Sequence, residues 1–315
     1  MRATALKMVH ELARQDPRVV FIGSDLGAGT MAEMAEQFPE RTFMEGISEA
    51  NIVGMAAGMA MEGYIPYLNT IAPFFTRRAF EQIAVDLCLQ NLPVRLIASG
   101  GGLVYAPLGP THMAIEDIAV MRALPNMTVV AVSDAEEMRR LMAASLAWPG
   151  PLYIRVAKGG DRVVSQAARG FAIGRAIEYA PPGDVALITT GVMLGRAQEA
   201  AELLRTNGII AGILHIHTVK PLDVRAVHAA ASRARLVVTI EEHSRIGGLG
   251  SAVLETLADR RDTPMKPMLR LGIPDLWPDE YGSQESLLEK YGLTAGQIAG
   301  RVRQAFQELP AQGRP

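Results

Sequence analysis

Phe43-Met44-Glu45-Gly46-Ile47-Ser48-Glu49-Ala50-Asn51-Ile52-Val53-Gly54-Met55-Ala56-Ala57-Gly58 ends one apolar run, turns at Gly46 and opens a helix. With a strand predicted at 41–44, a helix at 48–61 and a second strand at 65–68, it forms a strand–helix–strand unit. A crossover of that length returns the chain parallel to the strand it left. The same alternation runs outward in both directions. Strands are predicted at 19–23, 94–98, 127–132 and 152–156, with helices at 4–15, 76–90, 114–124 and 134–147. Residues 157–170 are polar and glycine-bearing (Lys158, Gly159, Gly160, Asp161), and a second alternation follows. Its strands are predicted at 185–189, 209–216, 236–240 and 268–271, and its helices at 194–206, 224–232, 251–258 and 295–308. The expected fold is therefore α/β, with two domains, 1–165 and 166–315, each a mainly parallel sheet flanked by helices.

Length and composition agree with that division. The chain has 315 residues, about two domains at ~150 residues each. It is 49% hydrophobic and 20% charged, enough for two buried cores. Lys plus Arg number 31 against 33 Asp plus Glu, a net charge of −2 that argues against a nucleic-acid-binding protein. Cys88 is the single cysteine, which excludes an internal disulfide and a cysteine-cluster zinc site. Its apolar neighbours mark it as a core residue. No run reaches the ~18 apolar residues that span a bilayer, and Lys7, His10 and Glu11 interrupt the amino terminus. The expectation is a soluble, cytoplasmic protein with no membrane partner.

Three stretches of the first half carry chemistry. In the opening stretch Ser48 is a plausible helix N-cap, which puts Glu49 in the first turn. Ala50, Gly54, Ala57 and Gly58 then form a small-residue stripe that suits a crowded interface. A carboxylate there, with no further charge until Glu62, is either a desolvated acid–base group or an ordinary acid favoured by the helix dipole. The second stretch, Gly100-Gly101-Gly102-Leu103-Val104-Tyr105-Ala106-Pro107-Leu108-Gly109-Pro110-Thr111-His112, follows an apolar strand. Ligands of open parallel sheets bind at such carboxyl ends, so His112 is either a site residue or a solvated loop histidine. In the third, Tyr153-Ile154-Arg155-Val156, Arg155 serves either an anionic ligand or a sheet-end ion pair. Elsewhere, Gly247-Gly248-Leu249-Gly250 fits close backbone packing better than a phosphate loop. His215 and His217 share a strand face without a third metal ligand of suggestive spacing.

Taken together, Gly46-Ile47-Ser48-Glu49-Ala50-Asn51, Phe74-Phe75-Thr76-Arg77-Arg78-Ala79-Phe80-Glu81-Gln82 and Gly109-Pro110-Thr111-His112 resemble the transketolase family. Thr218-Val219-Lys220-Pro221-Leu222-Asp223 and Glu241-Glu242-His243 with Gly247-Gly248-Leu249-Gly250 resemble its last domain. The likeness covers nearly the whole chain in order. It is closest to split transketolases and to the carboxy-terminal half of deoxyxylulose-phosphate synthase.

The resemblance implies a pyrimidine-binding domain followed by the family's carboxy-terminal domain, in an enzyme that uses thiamine diphosphate to transfer a two-carbon ketol unit. Glu49 then corresponds to the glutamate that hydrogen-bonds the aminopyrimidine, and Phe75 to the aromatic that stacks on it. Arg78 lies one turn beyond, and Asp25 falls where the family contacts the cofactor. His112 corresponds to a substrate-contacting histidine, and Arg155 and Arg2 to phosphate-binding arginines. The family's Gly-Asp-Gly…Asn stretch, which holds Mg²⁺ (or Ca²⁺) and the diphosphate, has no counterpart here. A separate amino-terminal chain is therefore expected to carry it, with the metal, in an α2β2 heterotetramer, and no metal ligand is expected on this chain. Leu108, Gly100 and Gly29 stand where pentose-pathway transketolases have polar groups, which implies an unusual sugar phosphate. Three alternatives stay open: a 2-oxoacid dehydrogenase β subunit, deoxyxylulose-phosphate-synthase chemistry, and a non-catalytic scaffold or regulatory subunit.

Overall fold

Twelve strands form two sheets in the computed structural model, which describes residues 1–24, 26–157, 159–160, 162–259 and 264–310. β1 (Val19–Gly23), β2 (Thr42–Met44), β3 (Ile65–Ile71), β4 (Arg95–Ser99), β5 (Thr128–Ala131) and β6 (Leu152–Val156) are all parallel and run in the order β5-β6-β4-β3-β1-β2. The second sheet is built from β7 (Ile177–Ala180), β8 (Val185–Thr189), β9 (Ala211–His215), β11 (Leu236–Ser244) and β12 (Met268–Ile273), in the order β12-β11-β8-β9-β7 with only β7 antiparallel. Between β9 and β11 the chain crosses back, and β10 (Thr218–Lys220) pairs antiparallel with β5 at the edge of the first sheet. The two-domain α/β expectation is thus borne out, with a three-residue strand from the second half completing the first sheet.

Period-two alternation explains the layers. Ile22, Leu68, Leu96 and Tyr153 face one core with the helix Glu49–Met61, whereas Phe21, Tyr67, Ile97 and Ile154 face the other with the helix Arg2–Gln15. Val185 and Leu187 likewise point opposite to Ala186 and Ile188. Both sheets are therefore covered on two faces, which is why their strands are nearly uniformly apolar.

Among the strands and α-helices of the described residues, four were not expected from sequence: β7, β10 and the helices Ala32–Gln37 and Gln284–Lys290. All are short, and short edge elements carry too few residues for a periodic signal. The helix predicted at 76–90 is three pieces: a wide turn Phe74–Arg78, a short α-helical piece Phe80–Gln82 and a second wide turn Ile83–Cys88.

From β1 the chain moves to β2 on one side, then over to β3 on the other. The connecting helices lie on opposite faces, Met34 packing in one core and Ile52 in the other. The carboxyl ends of β1 and β3 therefore flank a topological switch point, where open α/β sheets leave a crevice.

Candidate active site

That crevice holds a chain of polar contacts. Ser24, just past β1, donates from Oγ to Thr70 Oγ1 of β3 at 3.2 Å. Thr70 donates to Glu49 Oε1 at 3.2 Å, and Arg78 Nη1 donates to Glu49 Oε2 at 2.7 Å. Glu49 is 1% exposed while the Arg78 side chain is 47% exposed, so the pair runs from the sheet interior to the cleft mouth. Ser48 occupies the N-cap position, but its hydroxyl donates to the Glu45 carbonyl instead of capping the helix. The turn before the helix is thereby fixed, and Glu49 is aimed at β3.

The Arg78 guanidinium lies over the Phe74 ring, 4.2 Å from its centroid. The His112 ring meets Phe74 edge-on, with centroids 5.3 Å apart. Its Nδ1 is bonded to Thr111 Oγ1 at 2.8 Å, and its Nε2 makes no hydrogen bond among the described residues. Glu49, Arg78, Phe74 and His112 thus form one continuous group from a buried carboxylate to a half-buried imidazole.

Phe75 is 0% exposed and lies in the core cluster that also holds Ile52 and Ile22, whereas Phe74 is the partly exposed ring, in contact with Arg78 and His112. Adjacent phenylalanines in a wide turn point in different directions, and only the fold distinguishes them.

Arg155 has the ion-pair role among its two sequence alternatives. At 6% exposed, it pairs through Nε with Asp117 at 2.8 Å and donates through Nη2 to the carbonyls of Ala114 and Glu242 at 3.0 and 2.9 Å. Glu242 lies on β11, so Arg155 joins the two sheets instead of offering its fork to a phosphate. The neighbouring Asp117 holds this guanidinium firmly protonated against the opposing effect of burial. Arg2 donates to the Tyr105 hydroxyl at 3.2 Å, at the far end of the loop that carries His112. Asp25 lies outside the described residues.

The glycine-rich loop serves two purposes. At Gly102 (φ +76) an added Cβ would lie 2.5 Å from Glu242 Cδ, so that half of the loop packs on the domain seam. There Glu242 accepts from Leu103 N at 2.8 Å and Gln284 Nε2 at 2.9 Å. The Gly109–His112 end meets Phe74 through the His112 ring. The Gly247–Gly250 cluster is close backbone packing, as expected: an added Cβ at Gly248 would sit 2.1 Å from Glu241 Oε2. Glu241 itself accepts from Leu249 N and Gly250 N at 2.6 and 2.8 Å, filling the helix start that a phosphate would need. Burial raises its carboxyl to about 7.

His215 is engaged within the chain. Its Nε2 bonds Glu137 Oε2 at 3.0 Å, both groups being fully buried at the seam, and the His217 ring stacks on Phe171. Cys88 is buried, and desolvation pushes its thiol up to about 11.

Sequence reasoning assigned no site role to Ser24, Thr70 or Phe74. A signal existed for Thr70: polar Asn69-Thr70 at the carboxyl end of an apolar parallel strand is where a ligand-facing residue belongs.

Residues 1–160 match the family model for the transketolase pyrimidine binding domain, and residues 174–298 match that for the transketolase C-terminal domain. A 6-deoxy-6-sulfo-D-fructose transketolase subunit of Clostridium sp. (strain MSTE9) is 36% identical over 95% of this chain and 92% of its own. A 1-deoxy-D-xylulose-5-phosphate synthase of Geobacter sulfurreducens is 38% identical over 97% of this chain. This chain spans only about half the length of such synthases, 47% in that case. Among solved structures, a split-gene transketolase described as an inactive β4 tetramer superposes with a TM-score of 0.87 at 36% identity, covering 97% of each chain. Transketolase from Campylobacter jejuni, at 16% identity and a TM-score of 0.80, shares the fold over 46% of its length. No helix among the described residues is long and apolar enough to cross a membrane.

Proposed function

Because this chain belongs to the transketolase family, we propose that it is the pyrimidine-binding subunit of a two-chain, thiamine-diphosphate-dependent enzyme that transfers a two-carbon ketol unit. The observation that carries the proposal is the buried Glu49 carboxylate, held by Thr70 and Arg78 at the switch point of the first sheet. Thiamine diphosphate, when bound, supplies the electron sink for breaking and making the carbon–carbon bond.

The residues fit that group. Each Glu49 oxygen accepts one hydrogen bond from the described residues, which leaves lone-pair capacity for a ring N–H. Arg78 compensates the carboxylate's charge. Phe74 offers an apolar ring beside it. In this reading His112 Nε2, which makes no hydrogen bond among the described residues, binds a sugar oxygen, and Arg2 bonds Tyr105 on the loop's other arm. Asp25 keeps its expected cofactor role from the resemblance alone.

The diphosphate and Mg²⁺ (or Ca²⁺) belong in this reading to a partner chain, in an α2β2 assembly. On the helix that Glu49 opens, Gly54 and Gly58 are exposed, with open space where a Cβ would stand. Ile47 and Met61 at the helix's two ends are 70% and 60% exposed. That smooth apolar surface beside the carboxylate suits a second chain's approach.

The donor is a ketose with an anionic terminal group, a phosphate in the first instance. The Clostridium relative's name makes a sulfonated ketose the next to try. An assay of the two-chain enzyme against ketose phosphates, a sulfonated ketose, and pyruvate with branched 2-oxoacids tests the assignment. Aldose product without CO₂ is expected. CO₂ release from pyruvate or a branched 2-oxoacid would move the chain to synthase or oxoacid-decarboxylase chemistry.

A further inference from the structure

Arg77 is tied to the substrate loop more closely than any reading of the reaction requires. Its Nη1 donates to the carbonyls of Pro110 at 3.1 Å and Thr111 at 3.4 Å, and its Nη2 donates to the carbonyl of Met113 at 2.8 Å. Its Nε pairs with Glu116 on the same stretch. Three carbonyls around His112 are therefore held by one planar fork. A lysine, with a single compact charge on a flexible stem, cannot reproduce that grip.

The other face of Arg77 meets the second domain. The Trp277 ring centroid lies 5.0 Å from its guanidinium carbon. Four residues on, Tyr281 leans over Gly109, where an added Cβ would stand 2.9 Å from the ring. Both aromatics are largely exposed, at 59% and 72%, so burial in their own domain's core does not account for their placement. Arg77 also follows Phe74 in the same wide turn, and Phe74 touches His112. The loop that carries His112 is thus gripped from the cofactor-side turn and braced from the C-terminal domain.

We propose that Arg77 is a positioning residue for His112, and that Trp277 braces Arg77, so that the C-terminal domain sets the geometry of the substrate loop. This rests on the reading of His112 as a substrate-contacting group.

The test is a double-mutant cycle on the assembled two-chain enzyme, with Arg77→Gln, Arg77→Lys, His112→Asn and Trp277→Ala. Arg77→Gln is expected to raise KM for the ketose donor about tenfold, to lower kcat less, and to leave the melting temperature and thiamine-diphosphate affinity near wild type. Arg77→Lys is expected not to rescue, because the fork and not the charge holds the loop. In the His112→Asn background the effect of Arg77→Gln should vanish. Trp277→Ala should shift KM in the same direction by a smaller factor. Multiplying effects of Arg77→Gln and His112→Asn would overturn the proposal, as would a wild-type KM in Arg77→Lys. An unchanged KM in Trp277→Ala would overturn the bracing role. If His112→Asn alone leaves KM unchanged, the reading of His112 fails and the positioning role fails with it. An impaired His112→Asn with multiplying effects removes only the positioning role.

Discussion

Arg78 and Glu49 are joined at 2.7 Å across a steep change of environment, one partner half exposed and the other 1% exposed. The carboxylate is therefore charge-compensated from the cleft side alone, and whatever enters the cleft competes with or adds to that compensation. This one-sided pairing suits a group that must hold a proton for a bound ring and then give it up.

Replacing the carboxyl tests that role. Glu49→Gln preserves shape and one acceptor but cannot take a proton. Ketol transfer by the two-chain enzyme should fall by about 10²–10⁴-fold, the usual contribution of a positioned acid–base group. The melting temperature should move little, and steady-state rates beside thermal melts will separate the two effects.

Removing the arginine should do the reverse to stability. Among the described residues, Arg78→Gln leaves the buried carboxylate with only Thr70 as partner, at an expected cost of about 1–2 kcal/mol, at the low end because Arg78 is half exposed. The double variant Glu49→Gln/Arg78→Gln should be more stable than Arg78→Gln alone. Urea unfolding of the three proteins measures this; a double variant that is the least stable would contradict it.

Arg155 belongs to the seam, and its loss should appear as instability. Arg155→Met strands Asp117, which is fully buried and also accepts from the Tyr153 hydroxyl at 2.9 Å. A loss of about 3–5 kcal/mol is expected, measured by urea unfolding of this chain. An unchanged midpoint with a raised KM for phosphorylated donors would return Arg155 to phosphate binding.

Much of this was legible before the fold was known. The strand–helix rhythm placed β1, β6 and β8 at their observed bounds, because buried parallel strands are uniformly apolar. Glu49 was legible because a lone acid opens an otherwise uncharged helix. The different burial of Phe74 and Phe75 was not, since it depends on a wide turn that periodicity cannot reveal. Arg155 kept two meanings because an alternating arginine looks the same whether it faces a ligand or Asp117. β10 escaped notice because three residues, paired with a strand almost ninety positions earlier, leave no local pattern.

The seam also gives a pH dependence. Burial lowers the His217 imidazole to about 4, against the opposing pull of Glu137, so it is neutral when folded. Burial would raise Glu137, but the attraction of His215 overrides it and brings the carboxyl to about 2. A depressed folded-state value means stability present above the unfolded value and lost as pH falls. His217 therefore costs stability from about pH 6.5 down to about 4, on the order of 3 kcal/mol, and Glu137 from about 4.5 down to about 2. Glu241, raised to about 7 by burial, acts oppositely: its contribution is full below about 4.5 and is lost as pH rises to about 7. Melting temperatures of wild type and His217→Gln from pH 7 to 4 isolate the histidine, and the difference should shrink or reverse toward pH 4. Parallel curves would remove His217 as a cause.

The central claim is that this chain holds the pyrimidine half of a shared site. Calorimetric titration of thiamine diphosphate with Mg²⁺ tests it most directly, first into this chain alone and then into this chain assembled with a diphosphate-domain subunit. Tight binding by the pair, weakened by Glu49→Gln and absent from the isolated chain, is the predicted result. Equally tight binding by the chain alone, or none by the pair, would contradict it.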